Sequence, residues 1–121
     1  MAQGDWLLTS EELAVACARI CDGLKGEDIA ILDVRKLTQI TDHFVLCSAA
    51  SDRQLKAIGE AIVRELKQQH VTRLGAEGDA AAGWVLLDYV DVVVHLFSHE
   101  ARAFYQLEML WGDAPRIDWR P

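Results

Sequence analysis

The sequence predicts an α+β protein in which helices pack on one mixed sheet of about five strands. Three stretches carry apolar residues at helical spacing, and five shorter ones alternate or are rich in β-branched residues. They follow one another as helix, two strands, helix, three strands, helix, an order typical of α+β folds. The 121 residues are 51% apolar, enough for one core. We expect residues 1–121 to form a single domain, with its core over about 9–112 and an extended arm over 113–121.

The first two helices are predicted over residues 9–24 and 51–70. Each begins at a hydroxyl residue, Thr9 or Ser51, with a glutamate or glutamine three positions later. This spacing is the capping box, which satisfies backbone N–H groups at a helix start. The apolar stripes are formed by Leu13, Ala16, Cys17, Ile20 and Leu24 in the first helix and by Leu55, Ile58, Ile62 and Leu66 in the second.

Two strands are predicted between these helices, over residues 29–35 and 43–49. The polar link 36–42 is short, which favours an antiparallel hairpin. After the second helix, residues 71–78 predict a short strand that leads into a loop over 78–83.

The next two strands, residues 84–89 and 91–97, each have one purely apolar face and one mixed face, because successive side chains point to opposite sides. We expect the apolar faces to pack on helices and the mixed faces to be less buried. The apolar faces carry Val85, Leu87, Tyr89, Val92, Val94 and Leu96; the mixed faces carry Trp84, Leu86, Asp88, Asp91, Val93, His95 and Phe97.

Three polar groups in these strands, Asp88, Asp91 and His95, raise the question of catalysis. Two-metal phosphoryl chemistry usually presents carboxylates from one side of a strand, but this pair is three residues apart. The two aspartates converge only if a turn at Tyr89 and Val90 reverses the chain, and capping of that turn is the favoured interpretation. No Cys, Ser or second His has the spacing that would complete a triad or a zinc site around His95. We expect no metal, no cofactor and no enzymatic activity.

The third helix is predicted over residues 98–112, with Ser98 as its N-cap. Arg102, Tyr105 and Met109 cluster opposite its apolar stripe, and such residues together resemble an interaction hot spot. The alternative is that a loop or the C-terminal tail covers Tyr105. The stripe expected in the core consists of Ala103, Phe104, Leu107, Leu110 and Trp111.

The net charge of the chain indicates which kinds of partner it favours. Nineteen acidic and 12 basic residues give a formal net charge of −7. Nucleic acid requires a cationic surface, so we expect little direct binding to it and a preference for a basic partner. The sequence has no apolar run long enough for a membrane span, and its start, MAQGDWLLTS, lacks the basic region of a secretory signal. We therefore expect a soluble, cytoplasmic protein.

The three cysteines are odd in number and do not suggest a disulfide framework. Cys17 and Cys21 lie four apart on the first helix, and Cys47 lies in a strand. We interpret all three as small buried side chains.

Two long runs resemble the ribosomal silencing factor (Iojap-like, RsfS) family: LDVRKLTQITDHFVLCSAASDRQ, residues 32–54, and GWVLLDYVDVVVHLFSHEARAFYQLEMLWGDAP, residues 83–115. The pair Glu77-Gly78 stands between them. The resemblance covers nearly all of the chain beyond the first ten residues.

This resemblance implies a function. Proteins of this family bind the large ribosomal subunit through its ribosomal protein number fourteen, block association with the small subunit and repress translation. Relatives in mitochondria act in assembly of the large subunit, which is the alternative role. The family's fold resembles nucleotidyltransferases without the catalytic carboxylates, so an enzyme of that kind is a further alternative. A separate hypothesis, which does not come from the resemblance, is that the Trp84 and Tyr105 surfaces pair in a homodimer, as exposed apolar patches often do.

Residue by residue, the family's interface tryptophan matches Trp84 and its interface tyrosine matches Tyr105. Its Leu-Asp-Tyr-Gly-Asp run matches Asp88 and Asp91, but Val90 stands where glycine is usual. A β-branched residue resists the positive φ that glycine permits, so the turn's geometry is in question. The residues expected to bind the partner are Trp84, Asp88, Asp91, Arg102, Tyr105, Glu108 and Met109.

Overall fold

The computed structural model of the chain describes residues 8–121. The stretch 1–7, to which the expectation about a secretory signal refers, lies outside the described residues. The elements are α1 (Ser10–Gly23), β1 (Glu27–Asp33), β2 (His43–Ala49), α2 (Asp52–Gln68), β3 (Gly75–Asp79), a 3₁₀ turn (Ala80–Ala82), β4 (Trp84–Asp88), β5 (Val92–Ser98), α3 (His99–Tyr105), α4 (Leu107–Leu110) and β6 (Arg116–Ile117). The predicted α+β class is confirmed.

The strands form one six-stranded sheet in the order β3-β4-β5-β2-β1-β6. The predicted β1–β2 hairpin is confirmed, and β4 pairs antiparallel with both β3 and β5. Among the described strands, only β2 and β5 run parallel. Their register places His43 beside Val92 and Ala49 beside Ser98. The sheet is therefore mixed, as predicted, with one strand more than expected.

One side of the sheet, here called the closed face, packs against α1 and α2. It contains the apolar faces of β4 and β5, as predicted, together with Cys17, Cys21 and Cys47. The three cysteines are fully buried or nearly so, which confirms their assignment to the core. Burial raises the pKa of the Cys17 thiol to about 12, so this side chain is held as a neutral thiol.

The opposite side, here called the ridge face, packs against α3 and α4. Its buried residues are Leu32, Val34, Phe44, Leu46, Val93 and Phe97. The expectation that the mixed faces of β4 and β5 are less buried is right for Trp84 and His95, which are half-buried. It is wrong for Val93 and Phe97, which are 8% and 1% exposed in the ridge-face core.

The predicted third helix is not continuous. Gln106 adopts a left-handed conformation, with φ 48°, and divides the helix into α3 and α4. The break changes which side chains meet the sheet, so part of the predicted core stripe is wrong. Phe104 and Leu110 are 79% and 71% exposed; Ala103 is also exposed, while Leu107 and Trp111 are half-buried against the ridge face.

The C-terminal arm forms the edge of the sheet opposite β3. Its strand β6 pairs antiparallel with β1. Trp119 is only 8% exposed within the closed-face core, and its indole N–H donates to the Ile29 carbonyl at 3.2 Å. The Arg19 side chain in turn donates to the Trp119 carbonyl at 2.9 Å. The core thus extends past residue 112, where the sequence pattern ends.

Candidate protein-binding site

Four large apolar side chains on α3 and α4 lie in solvent. Phe104, Tyr105, Met109 and Leu110 are 79%, 54%, 75% and 71% exposed, and we call them the apolar ridge. The rings of Phe104 and Tyr105 meet edge to face, with centroids 5.1 Å apart. Large exposed apolar patches are uncommon on monomeric proteins and mark interaction sites. Tyr105 and Met109 were predicted here; Phe104 and Leu110 were missed because the break at Gln106 has no sequence signal.

The ridge rests on an aromatic layer of the sheet. Tyr105 lies 6.0 Å from the buried ring of Phe97, measured between centroids. Phe97 is paired across the strands with Trp84, so the two residues matched to the family's interface flank one buried ring. Neither a loop nor the tail covers Tyr105 in the described part of the chain, since half of its surface is free. A rigid base lowers the entropy cost of presenting such side chains to a partner.

His95 belongs to this aromatic layer. Its ring stacks on Phe97 at 5.8 Å and meets Phe44 edge to face at 5.4 Å. The Trp84 indole N–H points to its Nδ1 at 3.5 Å, a long hydrogen bond. Desolvation by burial lowers the pKa of His95 to about 4, so the ring is neutral at neutral pH. This environment supports the interpretation of His95 as a structural residue.

Arg102 was expected on the exposed surface, and that placement is wrong. Its side chain is only 10% exposed and forms a double contact with Glu108, at 2.8 Å from Nε to Oε1 and 3.1 Å from Nη2 to Oε2. It also donates to the Ser48 hydroxyl at 3.0 Å and the Asp28 carbonyl at 2.6 Å. The guanidinium is the main reason why the pKa of the Glu108 carboxyl lies below its usual value. Arg102 therefore ties α3 and α4 to the sheet beneath the ridge.

Asp88 caps the turn between β4 and β5, as predicted. Its carboxylate accepts the backbone N–H of Val90 at 2.8 Å. Val90 has φ 73° and is 54% exposed, so the turn keeps the conformation that glycine would allow, with a β-branched residue in it. Asp91 is exposed. Asp88 lies roughly 13 Å from Trp84 along β4, given about 3.3 Å per strand residue. The structure therefore separates the two aspartates from the tryptophan along the strand.

The described residues contain neither a cluster of metal ligands nor a membrane-spanning helix. Within 8–121, no group of three or more His, Cys, Asp or Glu side chains is placed to hold a metal ion. Over that range, no helix combines the length and apolarity needed to cross a bilayer.

Taken together, the structure is an α+β domain with a mixed six-stranded sheet and with exposed aromatic and aliphatic side chains on α3 and α4. A family model described as "Ribosomal silencing factor during starvation" matches residues 8–121. The chain belongs to this ribosomal silencing factor (RsfS) family.

Individual relatives agree with this assignment. The Ribosomal silencing factor RsfS of Bacillus subtilis is 37% identical over 111 residues, covering 92% of this chain and 94% of that protein. A crystal structure of a protein from Chromobacterium violaceum is similar with a TM-score of 0.83 and 34% identity, over 87% of this chain and 88% of that one. A mouse protein named Mitochondrial assembly of ribosomal large subunit protein 1 is 34% identical over 89 residues, 71% of this chain and 39% of its own length.

Proposed function

We propose that this protein binds the large ribosomal subunit in the cytoplasm through ribosomal protein number fourteen and represses translation. By occupying the surface where the small subunit docks, it would prevent the two subunits from joining. The observation that carries the proposal is the apolar ridge, which gives a member of this family an exposed binding surface at the matched Tyr105. Steric occlusion requires no chemical step and no cofactor.

The roles of the site residues follow from their placement. Tyr105 and Met109 act as anchors, with Phe104 and Leu110 widening the contact, and Trp84 supports Tyr105 through Phe97. Asp88 and Asp91, at the opposite end of the strands from Trp84, would steer a basic protein from a distance, since charges outside the contact act chiefly on the association rate. Arg102 and Glu108 contribute indirectly, because their ion pair holds α3 and α4 in the binding conformation.

The test is co-sedimentation of purified Tyr105→Ala with isolated large subunits. Truncating a hot-spot aromatic costs about 2 kcal/mol or more, so affinity should fall about 30-fold. The matched control is Ile40→Ala, which removes another exposed apolar side chain, 78% exposed, from the β1–β2 connection. Both variants should unfold at the temperature of the parent. Equal binding by Tyr105→Ala and the parent would count against the proposal.

Assembly of the large subunit is the second candidate role, and the name of the mouse relative favours it. The two roles differ in the particle that is bound. A silencing factor binds mature large subunits and inhibits their joining to small subunits in a purified mixture. An assembly factor instead leaves precursors of the large subunit to accumulate when the protein is depleted, without inhibiting mature subunits.

The enzyme and homodimer alternatives have simple tests. The carboxylate of Asp88 accepts the Val90 N–H, which gives this residue a structural role as the cap of the turn. Calorimetry with Mg²⁺ or Mn²⁺ and a nucleotide should therefore show no heat of binding. We also propose that the ridge allows two free copies to pair, and light scattering over a dilution series measures whether such a dimer persists.

A further inference from the structure

The sheet has an open edge whose adjoining groove lies on the closed face, opposite the apolar ridge. Strand β3 is the outermost strand and pairs only with β4 among the described elements. Its residues after Gly75 are all exposed. An edge strand leaves alternate backbone N–H and C=O groups without a partner, and these can accept another strand.

An apolar groove of about 350 Å³ runs beside this edge, between α2 and strands β3 and β4. Its apolar lining includes Val63 of α2 and Val85 and Leu87 of β4. The groove stays open because the β3 residue that lines it, opposite Leu87, is only Ala76. A side chain this small leaves the space between the strand and the helix unfilled.

The rim of the groove is cationic although the chain as a whole is acidic. Lys56, Arg64 and Arg73 line it, against a single acidic residue, Glu60. Over residues 8–121, none of these three cations lies within ion-pair distance of a carboxylate. The net charge of the chain is −7, so three cations gathered around one apolar groove form a local exception. Such a site favours a ligand with both an apolar and an anionic part.

We propose that this edge and groove bind an extended acidic segment of a partner protein, which adds to β3 as a further strand. Backbone pairing along β3 supplies the docking, and pockets for alternate side chains supply the specificity. Side chains on one face of a strand are two residues apart. The segment therefore has the pattern acidic-x-apolar-x-acidic, with its apolar side chain in the groove and its carboxylates near Lys56, Arg64 and Arg73.

The probe is a blocked, fluorescein-labelled peptide with leucine at its centre, glutamate two positions to either side and threonine elsewhere. The matched peptide carries lysine in place of glutamate. Fluorescence anisotropy should show at least tenfold tighter binding of the glutamate peptide. Amide signals of residues 75–79 should shift in a titration followed by NMR. Equal binding of the two peptides, or shifts confined to α3 and α4, would overturn the proposal.

Charge reversal on the groove sharpens the test. Arg64→Glu should weaken binding of the glutamate peptide at least tenfold, because this exposed cation lines the rim. Lys36→Glu makes the same change of charge at an exposed site in the β1–β2 connection and should leave binding unchanged. Equal losses in both variants would indicate a general charge effect and contradict the proposal.

Two further measurements separate the remaining explanations. Tyr105→Ala should bind the glutamate peptide as the parent does, since the ridge lies on another part of the molecule. Sedimentation of the free chain tests for a second copy in the groove. A dimer that Arg64→Glu dissociates and Lys36→Glu leaves intact would mean that another copy of this chain fills the site, and the proposal would fail.

Discussion

The two faces of the sheet differ in how many residues they bury. The closed face holds a cluster of 19 buried residues beneath two long helices, whereas the ridge face holds six beneath two short ones. On the ridge face, large apolar side chains remain in solvent above this thin layer. Burial of apolar area is the main source of stability, so we expect the closed face to hold the fold and the ridge face to present the binding surface.

The largest expected effect is on the closed face. Ile62 is fully buried there, and Ile62→Ala should lower the free energy of unfolding by about 4 kcal/mol, through lost burial and the cavity left behind. Phe104→Ala removes a larger side chain from the ridge and should cost less than about 0.5 kcal/mol. Urea denaturation measures both. Similar losses in the two variants would contradict the division of roles between the faces.

The second prediction concerns stability in acid and the aromatic layer of the ridge face. His95 has a pKa of about 4 in the folded protein, against 6.5 for an unperturbed histidine. The unfolded chain therefore binds a proton first as the pH falls, and stability decreases between pH 6.5 and 4, by about 3 kcal/mol in total.

The matched variant for this prediction is His95→Phe, which keeps an aromatic ring between Phe44 and Phe97 but cannot titrate. Its free energy of unfolding should fall less over the same pH range. Some decrease should remain, because burial also lowers the pKa of His43 on the closed face. Identical pH profiles for His95→Phe and the parent would show that His95 is not the group responsible.

The third prediction concerns Arg102, which ties α3 and α4 to the sheet. Arg102→Ala leaves Ser48 without its partner and Glu108 with only the longer contact to Arg116, at 3.4 Å, and should cost about 2 kcal/mol. Hydrogen exchange should become faster in α3 and α4 while α1 and α2 stay protected. Arg102→Lys should recover only part of this loss, because lysine cannot form the double contact. Faster exchange throughout the chain would mean that the two faces open as one unit.

The smallest expected effect is at the turn that joins β4 to β5. Val90→Gly removes a β-branched residue from a positive φ and should stabilise the protein by about 1 kcal/mol, measured as a rise in the midpoint of thermal denaturation. The buried neighbours Tyr89 and Val92 anchor this turn to the closed face, which explains how the strain is tolerated. Val90→Ala should give a smaller gain, since alanine also disfavours this conformation. A loss of stability in the glycine variant would show that the turn is not strained.

Local signals in the sequence predicted much of the fold. The capping box at Thr9 forms as expected, with hydrogen bonds of 2.8 and 3.1 Å to and from Glu12. Alternation of side chains assigned the apolar face of β4 and β5 to the core, and the position of Tyr105 off the helix stripe placed it correctly in solvent. These features depend on residues within a few positions of one another.

Features that depend on distant residues escaped prediction. Arg102 is buried because it meets Ser48 and the Asp28 carbonyl, which lie 54 and 74 residues away. The left-handed Gln106 divides a pattern that fits one continuous helix, and nothing in its side chain marks a break. The open groove depends on which strand lies at the edge of the sheet, and strand order is a property of the whole fold.

The burial of Trp119 also bears on how fast the protein folds. This residue meets Arg19 across 100 positions of sequence and β1 across 90, so the core beside α1 closes only after these distant segments have met. Pairing over such separations slows folding, so we expect the docking of Trp119 to be one of the late steps in folding.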